Sequence, residues 1–392
     1  MRPAKAMNQE DPPALIIEYL DPLEQFRGWL VIDDLSFPMA AGGMRVQKGL
    51  TQSHLVKMAR NMTMKMRIIG LPIGGAKCGI DYDPAAPGKL AAMCRFMAAV
   101  KPHIEHNYSM GPDLNTSMAE LEEIAAHLDI PSVKMAIAQA QGMTMPDFLR
   151  RYEVLNQEVM PGWSLGRIRA GYGVGVAALA VLDDLEILYP EATATVQGFG
   201  TLARATIATL QSAGVKIRAV ADVHQCLRAA DGFALDTEAL LKHPGTTLPP
   251  DFCGPGISSL PRTAIYDTPC DIMIPAAIEN TITSASAAVI QAKAVVPGAN
   301  LAVTEEADAI LFQRRIPCLP SFLAGCGGSL SMNGLFAPGK IPSAAAVLAY
   351  MNETMNRIAG EIINIGRRLN IPLSAAACKY CEHIKRSGKP YQ

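Results

Sequence analysis

At 392 residues the chain is two to three times the usual domain length, so two domains are expected. Apolar residues make up 49% and charged ones 18%, which excludes a wholly disordered chain. Lys plus Arg (35) nearly balance Asp plus Glu (36); a formal charge of −1 argues against a nucleic-acid or anionic-membrane binder. The N-terminal MRPAKAMNQEDPP has no apolar stretch of the kind a secretory leader needs, and no uninterrupted apolar run reaches membrane-spanning length. Nine scattered cysteines do not resemble a disulfide framework, so reduced thiols and a cytoplasmic location are expected.

In chain order, β-rich segments are expected near 14–20 and 28–33. A helix is expected over 51–66 with Thr51 as its cap, and another over 88–100. A third starts at Thr116 or Ser117, where Ser117 and Glu120 have capping-box spacing. Residues 131–165 read as a connecting region. The second part alternates: helix 177–188, strand TATVQ, helix 201–213, strand 215–222, then strands at 270–275, 293–298 and 316–320. That is the βαβ rhythm of a doubly wound α/β sheet. A long helix over about 342–368 follows.

The strand TATVQ runs into Gly198-Phe199-Gly200-Thr201-Leu202-Ala203, a G-x-G-x-x-A turn opening a helix. The first glycine permits the turn, the second admits a pyrophosphate, and the small third residue lets helix and strand pack. Asp222 ends the next strand, where a carboxylate accepts ribose hydroxyls and repels a 2′-phosphate, favouring NAD over NADP. The plainer alternative is a glycine turn with a solvated aspartate, and His224 and Arg228 temper the NAD preference.

In the first part, Ala41-Gly42-Gly43-Met44-Arg45 is followed by Lys65 and then Gly74-Gly75-Ala76-Lys77-Cys78-Gly79. Glycine pairs beside basic residues point to backbone held closely around a small anion. Burial of Lys77 among apolar neighbours would disfavour its ammonium and fit it as a proton acceptor. Asp113 precedes a helix, where a capping role is the common one.

These residues carry a resemblance. GGMR, the helix ending MTMK, LPIGGAKCGI and PDLNT, with GYGVGVAAL, ATVQGFGTLARA, CDIMIPAAIENTIT, VVPGANLAVTEEADAIL and LAGCGGS, resemble the glutamate/leucine/phenylalanine/valine dehydrogenase family over roughly residues 28–335. The resemblance implies an N-terminal α/β substrate-binding and oligomerisation domain (1–165, with 342–392 returning to it). It implies a Rossmann-like NAD-binding domain over 166–341 and an active site in the cleft between the two. The implied reaction is reversible NAD-dependent oxidation of an L-amino acid to the 2-oxo acid and ammonium. Lys77 would be the base that activates water, Asp113 the proton shuttle, and Lys65 the holder of the α-carboxylate beside Gly42 and Gly43. Cofactor contacts are implied for the 198–202 turn, Asp222, Ala276, Ala277 and Asn300. The partners implied are a small-molecule substrate and further copies of the chain; no metal is called for.

Departures from the family pattern narrow the reading. Glutamate-specific members place a lysine and a serine where this chain has Ala41 and Met332, which leaves no grip for a side-chain carboxylate and favours an apolar or bulky substrate. A cation from elsewhere would reverse this, returning glutamate as substrate. Ala170 and Gly325 replace a Thr and an Asn that position the nicotinamide, and Asn115 replaces a common Gly; an NAD-binding homologue with lost or regulatory activity is the further alternative. Cys378-x-x-Cys381-x-His383 lacks the second ligand pair of a zinc site. Cys78 and Cys326 read as small buried hydrophobes before reactive thiols, and the stripe Met58, Met62, Met66 as packing. His103 and His106 read as flanking a strand near Asp113.

Overall fold

The computed structural model describes residues 12–387 except residue 253, so most of the N-terminal segment read above for a leader, and Cys253, lie outside the described residues. The chain divides into two compact units, one running through Tyr152 and the other from Glu153 to His383. The division falls ahead of the expected 165/166 boundary. The C-terminal helices belong to the second unit, and only residues from Ile384 group with the first.

The first unit is built on strands β1 (Leu15–Leu20), β2 (Arg27–Ile32), β3 (Ala40–Val46), β4 (Gly74–Ile80) and β5 (Tyr108–Pro112), in the order β1-β2-β4-β3-β5. β3 runs parallel to both β4 and β5, and β1 and β2 are antiparallel. The two glycine-rich motifs of this part are therefore strands. Helix α1 (Gln52–Ile68) starts at Thr51, whose hydroxyl accepts from the His54 amide. It lies so close to β4 that a Cβ on Gly75 would stand 2.1 Å from the Thr63 nitrogen. Helices α2 (Lys89–His106) and α3 (Met118–His127) contribute Phe96, Met97, Leu121 and Ile124 to a core with Leu30, Ile32, Met44, Cys78 and Tyr108. α3 has the Ser117–Glu120 capping box. The expected connecting region holds two short helices, α4 (Met135–Ala140) and α5 (Met145–Tyr152), and the hairpin β6 (Glu158–Met160) and β7 (Trp163–Ser164).

The second unit opens with α6 (Leu165–Asp184), twelve residues ahead of the expected start at 177. Its glycines sit where other backbones touch it: a Cβ on Gly171 would lie 2.5 Å from the Leu202 carbonyl oxygen, and one on Gly173 2.6 Å from the Gly327 Cα. α6 is long and apolar enough on average to cross a membrane, although Arg167 and Arg169 interrupt its apolar run. Two-thirds of it is buried inside the protein, as for a core helix. The sheet follows with β8 (Thr193–Gln197), helix α7 (Thr201–Ser212), β9 (Lys216–Ala221), β10 (Cys226–Ala229), α8 (Thr237–Lys242), β11 (Ile257–Leu260) and β12 (Cys270–Pro275). Helix α9 (Ser284–Val289) leads to β13 (Ala292–Val295). The strand order is β11-β10-β9-β8-β12-β13, parallel across β9, β8, β12 and β13, with β10 antiparallel to β9 and β11. β10 reverses because a tight turn, with no crossover helix, links it to β9. The strand expected at 316–320 is only a bridge between Val295 and Cys318, since Pro317 and Pro320 offer no N–H to a ladder. Helices α10 (Glu305–Gln313), α11 (Ser321–Ala324), α12 (Gly327–Phe336), α13 (Ala344–Leu369) and α14 (Leu373–Ser387) complete the chain, with α13 packed on α6 and α12.

Candidate active site

Side chains alternate across a strand, so the β3–β4–β5 register puts Ala41, Gly43 and Arg45 on one face with Gly75, Lys77, Ser109 and Gly111. This is the face α1 covers through Gly75. The opposite face carries Met44, Cys78 and Tyr108 into the core, where the Tyr108 hydroxyl donates to Cys78 Sγ at 3.3 Å. Cys78 faces the core, away from Lys77, and burial pushes its thiol up to about 12, which leaves it an inert core group.

Asp113 lies one residue beyond β5 and joins the first face. Its Oδ2 takes Arg45 Nε at 2.7 Å and Lys77 Nζ at 3.0 Å. Burial alone would push the Asp113 carboxyl up, but Lys77 and Arg45 outweigh it and hold the group at about 2. The loop around it is fixed: the Asp113 amide donates to Thr116 Oγ1 (2.9 Å), Thr116 Oγ1 donates to the Met44 carbonyl (2.8 Å), and Asn115 Nδ2 to the Val46 carbonyl (2.9 Å). Asn115 has φ of 61°, a left-handed conformation that asparagine tolerates better than most residues, which explains how it replaces a glycine there. Lys65 is buried on α1, the helix that packs on this face. A Cβ at Gly42 would stand 1.7 Å from the Ala76 carbonyl oxygen, and one at Gly43 3.0 Å from the Asp113 Cβ. Lys65, Lys77, Asp113, Gly42, Gly43 and Ala41 thus belong to one small region. Arg45 is engaged as an ion pair with Asp113. His103 and His106 flank no strand: both sit in the last turn of α2, and His106 is exposed with Nδ1 at 2.8 Å from the Pro102 carbonyl. Lys134, which no motif marks, is buried with its Nζ near Gly111.

In the second unit, Gly198 has φ of +111°, and a Cβ there would meet the Ala276 carbonyl oxygen at 2.7 Å and the Ala277 nitrogen at 3.1 Å. Only glycine fits, and Ala276 and Ala277 form the wall of the turn. At Gly200 a Cβ would meet nothing within 4 Å, and no side chain caps α7. The first-turn N–H groups of this twelve-residue helix therefore open onto space in which a phosphate would fit. Phe199 and Ala203 are buried beneath the turn, while Thr201 is exposed.

Asp222 matches its assigned role less fully. Its Oδ1 accepts from the His224 and Gln225 amides (2.8 and 2.9 Å) and its Oδ2 from the Leu248 amide (2.7 Å). It clamps the β9–β10 turn, leaving about one of a carboxylate's four acceptor positions for a ribose hydroxyl. Arg228 pairs with Asp267 at 3.3 Å. Ala170 lies on α6 at the crossing with α12, where a Cβ on Gly327 would meet its carbonyl oxygen at 3.0 Å. Gly325 caps α11, and Arg169 ties the crossing by donating to the Gly328 carbonyl and Ser331 Oγ. Of these glycines Gly327 serves helix packing, whereas a Cβ on Gly328 would meet nothing within 4 Å. Asn300 and Met332 are half-buried in this unit. Among the described residues no group of three or more His, Cys, Asp or Glu stands where it would hold a metal.

Comparison with known proteins gives concordant matches. The family profile described as Glutamate/Leucine/Phenylalanine/Valine dehydrogenase matches residues 162–380, and its companion, the Glu/Leu/Phe/Val dehydrogenase dimerisation domain, matches 18–129. Glutamate dehydrogenase B of Halobacterium salinarum is 30% identical over 332 residues, 81% of this chain and 72% of its own. The glutamate dehydrogenase of Thermotoga maritima is 32% identical over 315 residues, 78% of this chain and 71% of its own. Other relatives are named NAD-specific and NADP-specific glutamate dehydrogenases. The hetero-hexameric glutamate dehydrogenase of Thermus thermophilus, in a leucine-bound form, shares the fold with a TM-score of 0.73 at 21% identity, covering 97% of this chain and 91% of its own.

Proposed function

The chain belongs to the glutamate/leucine/phenylalanine/valine dehydrogenase family, and from that premise we propose that it oxidises an L-amino acid, in the presence of water, to the 2-oxo acid and ammonium. The observation that carries the reading is the Lys77–Asp113–Arg45 cluster on a glycine floor. A nicotinamide dinucleotide, when bound, supplies the hydride acceptor. Asp113, held anionic, offers the charge that a substrate ammonium needs. Lys77, 3.0 Å away, is placed to exchange a proton with it and with the water that attacks the imino carbon. Lys65 suits the α-carboxylate. The turn at 198–201 would hold the pyrophosphate through backbone N–H groups.

NAD is our preference over NADP. Even engaged in its turn, the Asp222 carboxylate repels a 2′-phosphate, and Arg228 is taken up by Asp267. Ala41 and Met332 by themselves support an apolar substrate side chain. Self-association is expected through the first unit: the dimerisation-domain match covers it, and the edge strand β1 and the turn after it expose Leu20 and Leu23. A reducing cytoplasm suits a chain with no disulfide among its eight described cysteines.

The test follows reduced nicotinamide by absorbance while a panel of L-amino acids is offered with NAD or NADP. Turnover of at least one amino acid is expected. Dinucleotide binding without turnover of any would replace this reading by a regulatory homologue.

A further inference from the structure

We infer that Arg45 is a positioning residue for the proton step: it holds Asp113 in a permanently charged pair, so that Lys77 is the one cation of the cluster free to shed and regain a proton. This rests on the amino-acid dehydrogenase reading above. Two cations meet one carboxylate here. Arg45 Nε and Lys77 Nζ both reach the same oxygen, Asp113 Oδ2, at 2.7 and 3.0 Å. With both protonated the three groups carry one positive charge in excess. The two cationic side chains are only 4% and 3% exposed, so water screens that excess little. It is relieved only when a cation gives up a proton, which an ammonium can do and a guanidinium in a protein does not. Lys77 is therefore the outlet, and Arg45 keeps Asp113 neutralised after the proton has left. Asp113 Oδ1 accepts from none of the described residues, which leaves it open to a substrate ammonium.

The pair is built on fixed backbone at both ends. Arg45 lies inside β3, where a Cβ on its β4 partner Gly79 would stand 2.6 Å from the Arg45 carbonyl oxygen. Gln47 Oε1 accepts from Arg45 Nη1 at 3.0 Å, a neutral partner that orients the guanidinium without cancelling its charge. The Asp113 loop is tied to β3 on either side of Arg45, by Thr116 to the Met44 carbonyl and by Asn115 to the Val46 carbonyl. From outside, Lys89 Nζ donates to the Asn115 carbonyl at 2.8 Å. The charged groups facing the Asp113 carboxyl are Arg45 from β3 and Lys77 from β4. Lys65 on α1 and Lys134, with its Nζ near Gly111, are the next cations of the region. Glu120 on α3 is turned to Lys89, and Cys78 and Tyr108 lie on the core face of the sheet.

The experiment follows kcat/KM against pH, for the amino acid turned over fastest, in the full-length protein and in Arg45→Met and Arg45→Lys. Without the fixed charge the Asp113–Lys77 pair holds its proton more tightly, so the acid limb of the profile should move up by about one pH unit or more in Arg45→Met. Its loss of activity should be greatest at low pH and shrink as pH rises. Arg45→Lys keeps a cation beside Asp113 and should leave the limb within about half a unit of the parent. A uniform loss at every pH, with the limb unmoved in Arg45→Met, overturns the assignment, because Arg45 would then only brace the fold. Melting temperatures give a readout that needs neither turnover nor a folded Arg45→Met protein. Asp113→Asn leaves two buried cations side by side and adding Arg45→Met removes one, so the double variant should melt at least about 2 °C above Asp113→Asn alone. A double variant that melts no higher refutes the charged pair. If the parent turns over no amino acid while the double variant regains stability, the pair stands and the dehydrogenase reading fails.

Discussion

Replacing Asp113 by Asn tests the central cluster, since it keeps the shape and removes the one carboxylate shared by Arg45 and Lys77. The drop of its pKa from 3.8 to about 2 corresponds to roughly 2.5 kcal/mol of stability at neutral pH. That figure is net of burial, which acts in the opposite sense, and Arg45 and Lys77 are 4% and 3% exposed at their side chains. Removing the carboxylate leaves both cations buried against a neutral amide, so the loss should approach the 3–5 kcal/mol typical of broken buried pairs, or about 3 here. The pH dependence has a definite sign. A carboxyl lowered by folding stabilises fully above its unfolded value near 4, and the contribution disappears as pH falls through 2. Its share should be complete at pH 6 and about half that size at pH 3. The assay is denaturant unfolding followed by Trp29, buried on β2, in a Trp163→Phe background so that only the first unit reports. Turnover should fall by about 10²- to 10⁴-fold in the same variant. An Asp113→Asn protein as stable as the parent at pH 6, or a deficit that stays constant down to pH 3, would refute the proposed electrostatics.

Gly42→Ala drives a methyl to 1.7 Å from a backbone oxygen, with no side chain to give way, and should cost more than about 4 kcal/mol, seen as loss of soluble folded protein. Gly200→Ala is its counterpart: the added methyl meets nothing, so melting should be unchanged while dinucleotide affinity drops about tenfold, and equal affinity would disprove the phosphate cradle. Asp222→Ala strips the acceptor from three backbone amides and should destabilise the second unit by about 1–3 kcal/mol. Its NAD-to-NADP ratio should fall as well; an unchanged ratio would reduce Asp222 to a turn clamp. Cys78 should resist thiol reagents at neutral pH until the protein is denatured, whereas exposed Cys378 should react in the folded state.

What was readable in advance was local chemistry. Thr51 and Ser117 announce their helices because a cap acts within three residues, and β12 stands out as an apolar run of strand length. The strands carrying the site were not readable: Gly42, Gly43, Gly74 and Gly75 have poor strand propensity, and β3 and β4 form because they pair in parallel beneath α1. The same holds for α6, where Gly171 and Gly173 look like a loop until α7 and α12 are laid against them. His103 and His106 were misplaced because Pro102, which lies inside α2, reads as a helix end. The residues of the site divide along the same line. Lys77 and Asp113 stand out by their glycine and loop settings, yet nothing local says that they pair with each other and with Arg45. Arg45 carries no local sign of its partner, and its pairing with Asp113 joins residues 68 positions apart. Motifs therefore name the reactive groups, while the charge around them comes from segments distant in sequence. For that reason the family's missing lysine at Ala41 does not by itself decide the substrate, which depends on the whole face on which Ala41 lies.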